Sequence, residues 1–120
     1  MDFENLKNKK INDVSGLIGN GQICPEELTR FYLQKISSDP RSEEIFTEVY
    51  KKSALASAKE SKKRAKVGLR KGVLDGIPIS VKDLADIKGK FTGGGSSLTN
   101  KEKAKNNATF VNNLQYQGAI

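Results

Sequence analysis

An α/β fold is predicted from three features of the sequence. Amphipathic helical segments fill residues 1–70, an alternating extended run follows from Leu74 to Leu84, and a further helical segment starts near Asn107. The expected organisation is one domain, with a helical region over 1–70 and the start of an α/β core over 71–120.

The first helix is expected over residues 10–18, where Ile11, Val14, Leu17 and Ile18 recur at helical spacing and Gly19 to Gly21 close the segment. A second starts near Pro25, since proline suits the first turn, where its missing N–H has no intrahelical partner. Glu26 and Glu27 place negative charge at the positive end of the helix dipole. Leu28, Phe31, Tyr32 and Ile36 make one apolar stripe, and Ser38-Asp39-Pro40 ends the helix. Residues 45–67 read as a longer helix with Phe46, Val49, Tyr50, Ala54, Leu55 and Ala58 inward and a charged second half in solvent.

Beyond Gly68 and Gly72 the period changes. Ile77, Ile79 and Val81 share one parity and Pro78, Ser80 and Lys82 the other, so a strand here points Ser80 and Lys82 the same way. Residues 88–97 are rich in Gly and Thr and read as a loop in which Gly93, Gly94 and Gly95 free the backbone. The last helix puts Ala108, Val111 and Leu114 inward and stops at Gly118, and an apolar strand is expected to begin at Ala119-Ile120. One strand alone makes no sheet, so the core reads as unfinished.

Composition narrows the function. The 120 residues are 36% hydrophobic and 29% charged, with a mean hydropathy of -0.56, which fits a soluble globular segment with a thin core. Lys and Arg number 21 against 14 Asp and Glu, a formal net charge of +7. Part of this excess, Lys59, Lys62, Lys63, Arg64 and Lys66, reads as the solvated face of a helix. A small basic nucleic-acid-binding helical module is the rival reading of another class, and a nucleic-acid partner is not expected. Cys24 is the sole cysteine and reads as a near-cap residue, with no metal-ligand set and a reducing cytoplasm as the default compartment. The chain has no histidine, which removes Ser-His-Asp and Cys-His chemistry from it. Neither a secretory signal nor a membrane span is readable.

The segment Leu74-Asp75-Gly76-Ile77-Pro78-Ile79-Ser80-Val81-Lys82-Asp83-Leu84 resembles the signature strand of the amidase signature family, a Gly-Ile-Pro turn before an apolar strand ending in Lys-Asp. Gly89, Thr92, Gly95, Ser96 and Leu98 match the family's following Gly, Thr and Gly-Ser positions. Glu27-Leu28-Thr29 resembles an early helix of the family, and Ala108, Val111, Leu114 and Gly118-Ala119-Ile120 a later helix and the entry to the next strand. The chain departs from the pattern at Gly93, Asn107 and Gln117, where Thr, Asp and Ala are usual.

The resemblance implies an incomplete amidase signature fold: N-terminal helices followed by the first strand or strands and a helix of a mixed sheet. It also implies a carbon-nitrogen hydrolase of the Ser-cisSer-Lys type. An amide is a poor electrophile and a hydroxyl a poor nucleophile, so a base must take the hydroxyl proton. By resemblance Lys82 is that base, and a lysine serves only when neutral, a state that burial favours. The two serines and the oxyanion-binding N–H groups would lie beyond residue 120, and Ser80, Ser96 and Ser97 do not match the catalytic serines. The segment alone is therefore expected to be inactive, with no cofactor, a small-molecule amide as substrate and the rest of the same enzyme as partner. An alternative within the family is the glutaminase component of an amidotransferase that works with tRNA and partner chains. The glycine run lacks the Gly-Lys-Ser/Thr ending of a phosphate loop and reads as a turn. Apolar surface left by the missing sheet is expected to promote association.

Overall fold

The computed structural model describes residues 3–99 and 102–120. A 3-10 turn over Phe3–Asn8 leads into α1 (Ile11–Gly19), α2 (Pro25–Ser38), the single turn α3 (Ser42–Ile45), α4 (Lys51–Lys66) and α5 (Thr109–Tyr116). Two compact units emerge: Met1–Ile79 with Gln117–Ile120, and Ser80–Tyr116.

In the first unit α1 starts where the Asp13 carboxylate accepts the Lys10 N–H at 3.3 Å, satisfying a donor at the helix start. It ends in a turn through Asn20 and Gly21, whose φ of 78° suits a residue without a Cβ. Cys24 is the N-cap residue of α2 and Pro25 its first residue. α2 packs along α4, and Glu26 on α2 accepts from both Arg30 (2.9 Å) and Lys62 of α4 (3.1 Å). The Arg30 hydrogen bond first, then Lys62, holds the Glu26 carboxyl below the usual range.

The core of this unit gathers Leu6, Ile18, Ile23, Leu28 and Ile77, with Phe3, Val14, Leu17, Tyr32 and Ala65 packed around it. Full burial of such a side chain contributes about 1.5–3 kcal/mol. With five of them at the centre the core is thin, as the composition implies. Leu6 and Ile23 are the unforeseen members: Leu6 lies in the lysine-rich start of the chain, and Ile23 in the turn between α1 and α2.

Two expectations are overturned. The long helix over 45–67 is instead α3 and α4 with Phe46–Tyr50 between them; Val49 is 41% exposed, while Ala58 is buried. Four of the five residues between them, Phe46, Thr47, Val49 and Tyr50, are β-branched or aromatic and of modest helix propensity, and the N-cap of α4, Tyr50, makes no side-chain cap bond.

The larger correction concerns the fold class. The α/β expectation, with the first strands of a mixed sheet, does not hold: among the described residues there is no strand and no sheet, and the chain is helical. After the turn at Leu74–Ile77, the backbone of residues 76–79 pairs only with the short stretch Gly118–Ile120 among the described residues. Gly76 N–H donates to the Gly118 carbonyl (3.1 Å), Ile120 N–H to Ile77 (2.9 Å) and Ile79 N–H to Ile120 (2.7 Å). Pro78 has no N–H to add, and three bonds fall short of a strand pair that stands by itself.

In the second unit the chain turns repeatedly before α5, with the Gly89 N–H bonded to the Ala104 carbonyl and Ala104 N–H to Lys90, each at 2.8 Å. Val111 of α5 is buried, while Leu114 is half-buried. Large apolar side chains remain open to solvent in both units, among them Leu69 (70%), Tyr116 (79%) and Leu98 (94%).

Candidate active site

Lys82 directly precedes a turn. Its carbonyl accepts the N–H groups of Leu84 (2.7 Å) and Ala85 (3.2 Å), which closes the turn and fixes the backbone on the lysine's carboxy-terminal side. The side chain is exposed, and among the described residues it makes no ion pair. Ser80 is exposed as well, but so is Ile79 of the opposite parity.

Asp83 is bonded to the glycine run. Its carboxylate Oδ1 accepts the Gly93 N–H at 2.9 Å, and its carbonyl accepts the Gly94 N–H at 2.8 Å. A Cβ on residue 93 would overlap the other carboxylate oxygen, so this approach of loop to aspartate requires glycine. Thr99 Oγ1 donates to the carbonyls of Gly93 and, at 2.7 Å, Ser96, and Thr92 Oγ1 donates to Asp86 Oδ1 at 2.7 Å. The glycine run is thus an ordered turn tied to Asp83, not an open anion cradle. Ser96 Oγ accepts the Leu98 N–H at 3.1 Å, a local turn role.

Asn107, one of the departures from the family pattern, links three places. Its Oδ1 accepts the Lys88 N–H (2.7 Å), and its Nδ2 donates to Asn112 Oδ1 (2.9 Å) and Gln115 Oε1 (3.1 Å) on α5. Beside it lies a polar hollow of about 330 Å³ bordered by Asp86, Thr92 and Asn107; Lys82 and the serines are not among its lining residues. Among the described residues no group of His, Cys, Asp and Glu side chains is arranged to hold a metal.

The first unit holds a buried charged cluster that the sequence reading missed. Asp75 is fully buried, and Arg64 grips it with two parallel bonds, Nε to Oδ2 at 2.8 Å and Nη2 to Oδ1 at 2.7 Å. The Lys71 N–H adds a third at 2.8 Å. Arg70 extends the cluster to α1 by donating to the Ser15 carbonyl and hydroxyl, both at 2.9 Å, and to the Asp75 carbonyl at 2.8 Å. Burial pushes the Asp75 carboxyl up, but Arg64 and the Lys71 N–H outweigh it and hold the group below its ordinary value. Arg64, expected on a solvated face, is therefore turned inward. Its position in a lysine-rich run hides this role, and only the isolated acid in Leu74-Asp75-Gly76 hints at a buried partner.

Comparison with known proteins follows the same residues. A family model described as Amidase matches residues 27–120. The A subunit of the human mitochondrial glutamyl-tRNA(Gln) amidotransferase is 38% identical over 112 residues, covering 93% of this chain and 21% of the relative. Its mitochondrial counterpart from the platypus (Ornithorhynchus anatinus) is 36% identical over 110 residues, covering 92% and 21%. The counterpart from Chlorobaculum tepidum is 32% identical over 108 residues, covering 90% and 22%. The chain thus spans about a fifth of the length of the curated relatives it matches.

Proposed function

The chain belongs to the amidase family, and from that premise we propose that it supplies Lys82 as the general base of an amide hydrolase whose serines come from the remainder of a longer protein. The observation that supports this reading is the state of Lys82 beside Asp83. The one carboxylate next to it in sequence is engaged by a loop amide, and the ammonium has no acidic partner among the described residues. A lysine clamped in an ion pair holds its proton, whereas an unpaired one becomes a base once a covering surface removes it from water. That cover is part of the proposal, because Lys82 is exposed in this chain.

In the proposed reaction neutral Lys82 accepts a proton relayed from the nucleophilic hydroxyl through a second serine, while the hydroxyl oxygen attacks the amide carbonyl. The same proton then goes to the departing nitrogen. The chain by itself lacks the nucleophile by this reading and is inactive alone.

The relatives named above are components of amidotransferases, which favours glutamine as the amide and ammonia as the product passed on. Partner chains of such an assembly, and the apolar side chains at Leu69, Leu98 and Tyr116 as places of association, are part of the same reading. A reducing compartment, cytoplasmic or mitochondrial, fits the lone Cys24; no helix among the described residues is long and apolar enough to cross a membrane.

The test joins residues 1–120 to the carboxy-terminal part of the Chlorobaculum tepidum relative and follows ammonia release from glutamine and from simple amides. Activity in the joined protein that Lys82→Ala abolishes supports the proposal; turnover that survives this substitution removes Lys82 from the mechanism.

A further inference from the structure

We propose that Asp83 is a positioning residue for Lys82, an inference that rests on the reading of Lys82 as the base. Asp83 holds the lysine's backbone against the glycine turn and keeps its own carboxylate off the lysine's ammonium. Three contacts carry this. The Asp83 carboxylate accepts the Gly93 N–H at 2.9 Å, its carbonyl accepts the Gly94 N–H at 2.8 Å, and the preceding carbonyl, that of Lys82, closes the turn onto Leu84 and Ala85. Both sides of the Lys82–Asp83 peptide are therefore fixed to other backbone groups.

The chemistry explains why this arrangement matters to a base. A free carboxylate within a few ångström of an ammonium stabilises the charged form and works against proton uptake from a serine. Directing that carboxylate to a backbone N–H engages its charge and spends it on order instead. Gly93 is the enabling residue: its missing side chain admits the carboxylate, and the Thr99 hydroxyl pins the Gly93 carbonyl from the other side.

The contact is tested first in the 120-residue chain by 15N NMR. The Gly93 amide resonance is expected to move on acidification in the parent chain and to stay still in Asp83→Ala. A Gly93 amide indifferent to acid overturns the contact and the proposal with it. The role is then tested in the joined full-length enzyme, with each rate expressed per folded molecule. Asp83→Ala and Gly93→Ala are expected to lower kcat about 100-fold with little change in KM, the signature of a misplaced base. Asp83→Asn, whose amide oxygen still accepts from Gly93, recovers most of that loss. Normal kcat in Asp83→Ala beside an inactive Lys82→Ala overturns the positioning role and leaves the base reading intact. Turnover in Lys82→Ala overturns the base reading, and the positioning role falls with it.

Discussion

The guanidinium of Arg64 and the carboxylate of Asp75 meet edge to edge, 2.8 and 2.7 Å apart, with the carboxylate fully buried and the arginine side chain 26% exposed. This pair joins the end of α4 to the turn that holds Asp75, and Arg70 ties the same turn to α1. A thin apolar core is thus supplemented by a polar cluster whose donors and acceptors are largely matched. Such a cluster is costly to break from one side, because the group left behind keeps its buried charge.

Arg64→Ala is expected to destabilise the chain by about 3 kcal/mol, the lower end for a broken buried pair because Arg64 keeps some exposure. Arg64→Lys recovers little, since an ammonium cannot make the two parallel bonds. Urea unfolding of the three proteins checks this; equal midpoints for the parent and Arg64→Ala contradict it.

Asp75 also sets a pH dependence. Its folded-state value lies below the ordinary carboxyl value of about 3.9, so the folded chain binds this proton less readily than the unfolded one. The stabilisation is fully present above about pH 4 and fades as pH falls through the lower folded value. The stability gap between the parent and Asp75→Asn is therefore expected to be constant from about pH 5 to 7 and to narrow in more acid solution. A gap that widens on acidification reverses the sign and refutes the assignment.

Gly118 lies over the same carboxylate. Its φ is +85°, and a Cβ there would stand 2.6 Å from the Asp75 carboxyl carbon. Gly118→Ala combines a left-handed backbone with this overlap and is expected to cost about 2 kcal/mol or more. Thermal melts of this variant beside Gly16→Ala, whose added Cβ meets nothing within 4 Å, separate the effect from a general glycine effect.

At Asn107 the two halves of the side chain have separable consequences. Asn107→Ala removes the acceptor for Lys88 and both donors to α5, whereas Asn107→Asp keeps the acceptor alone. Hydrogen exchange is expected to show the Lys88 amide freed in the alanine variant and still protected in the aspartate variant. Freed exchange in both variants means that the acceptor oxygen does not hold Lys88.

Local signals were legible in sequence, and long-range pairings were not. Pro25 with Glu26 and Glu27 marked the start of α2, and Ser38-Asp39-Pro40 its end, because caps, dipoles and proline act within one helical turn. The Gly-Ile-Pro and Lys-Asp motif identified the family, and the match over residues 27–120 agrees. The apolar spacing of Ile77, Ile79 and Val81 led to the expectation of a strand, which the structure does not form, since a strand exists only through the partner it bonds, and residues 118–120 provide three bonds.

By itself, then, the sequence determined where most helices begin and which family the chain belongs to. Tertiary structure alone decided that Arg64 leaves the solvated face of α4 for Asp75, that Asp83 serves the loop at Gly93, and that no sheet forms among the described residues. The physical reason is range. Helix and turn signals are set by residues a few positions apart, while a buried charge, a strand or a loop contact depends on which distant group arrives to meet it.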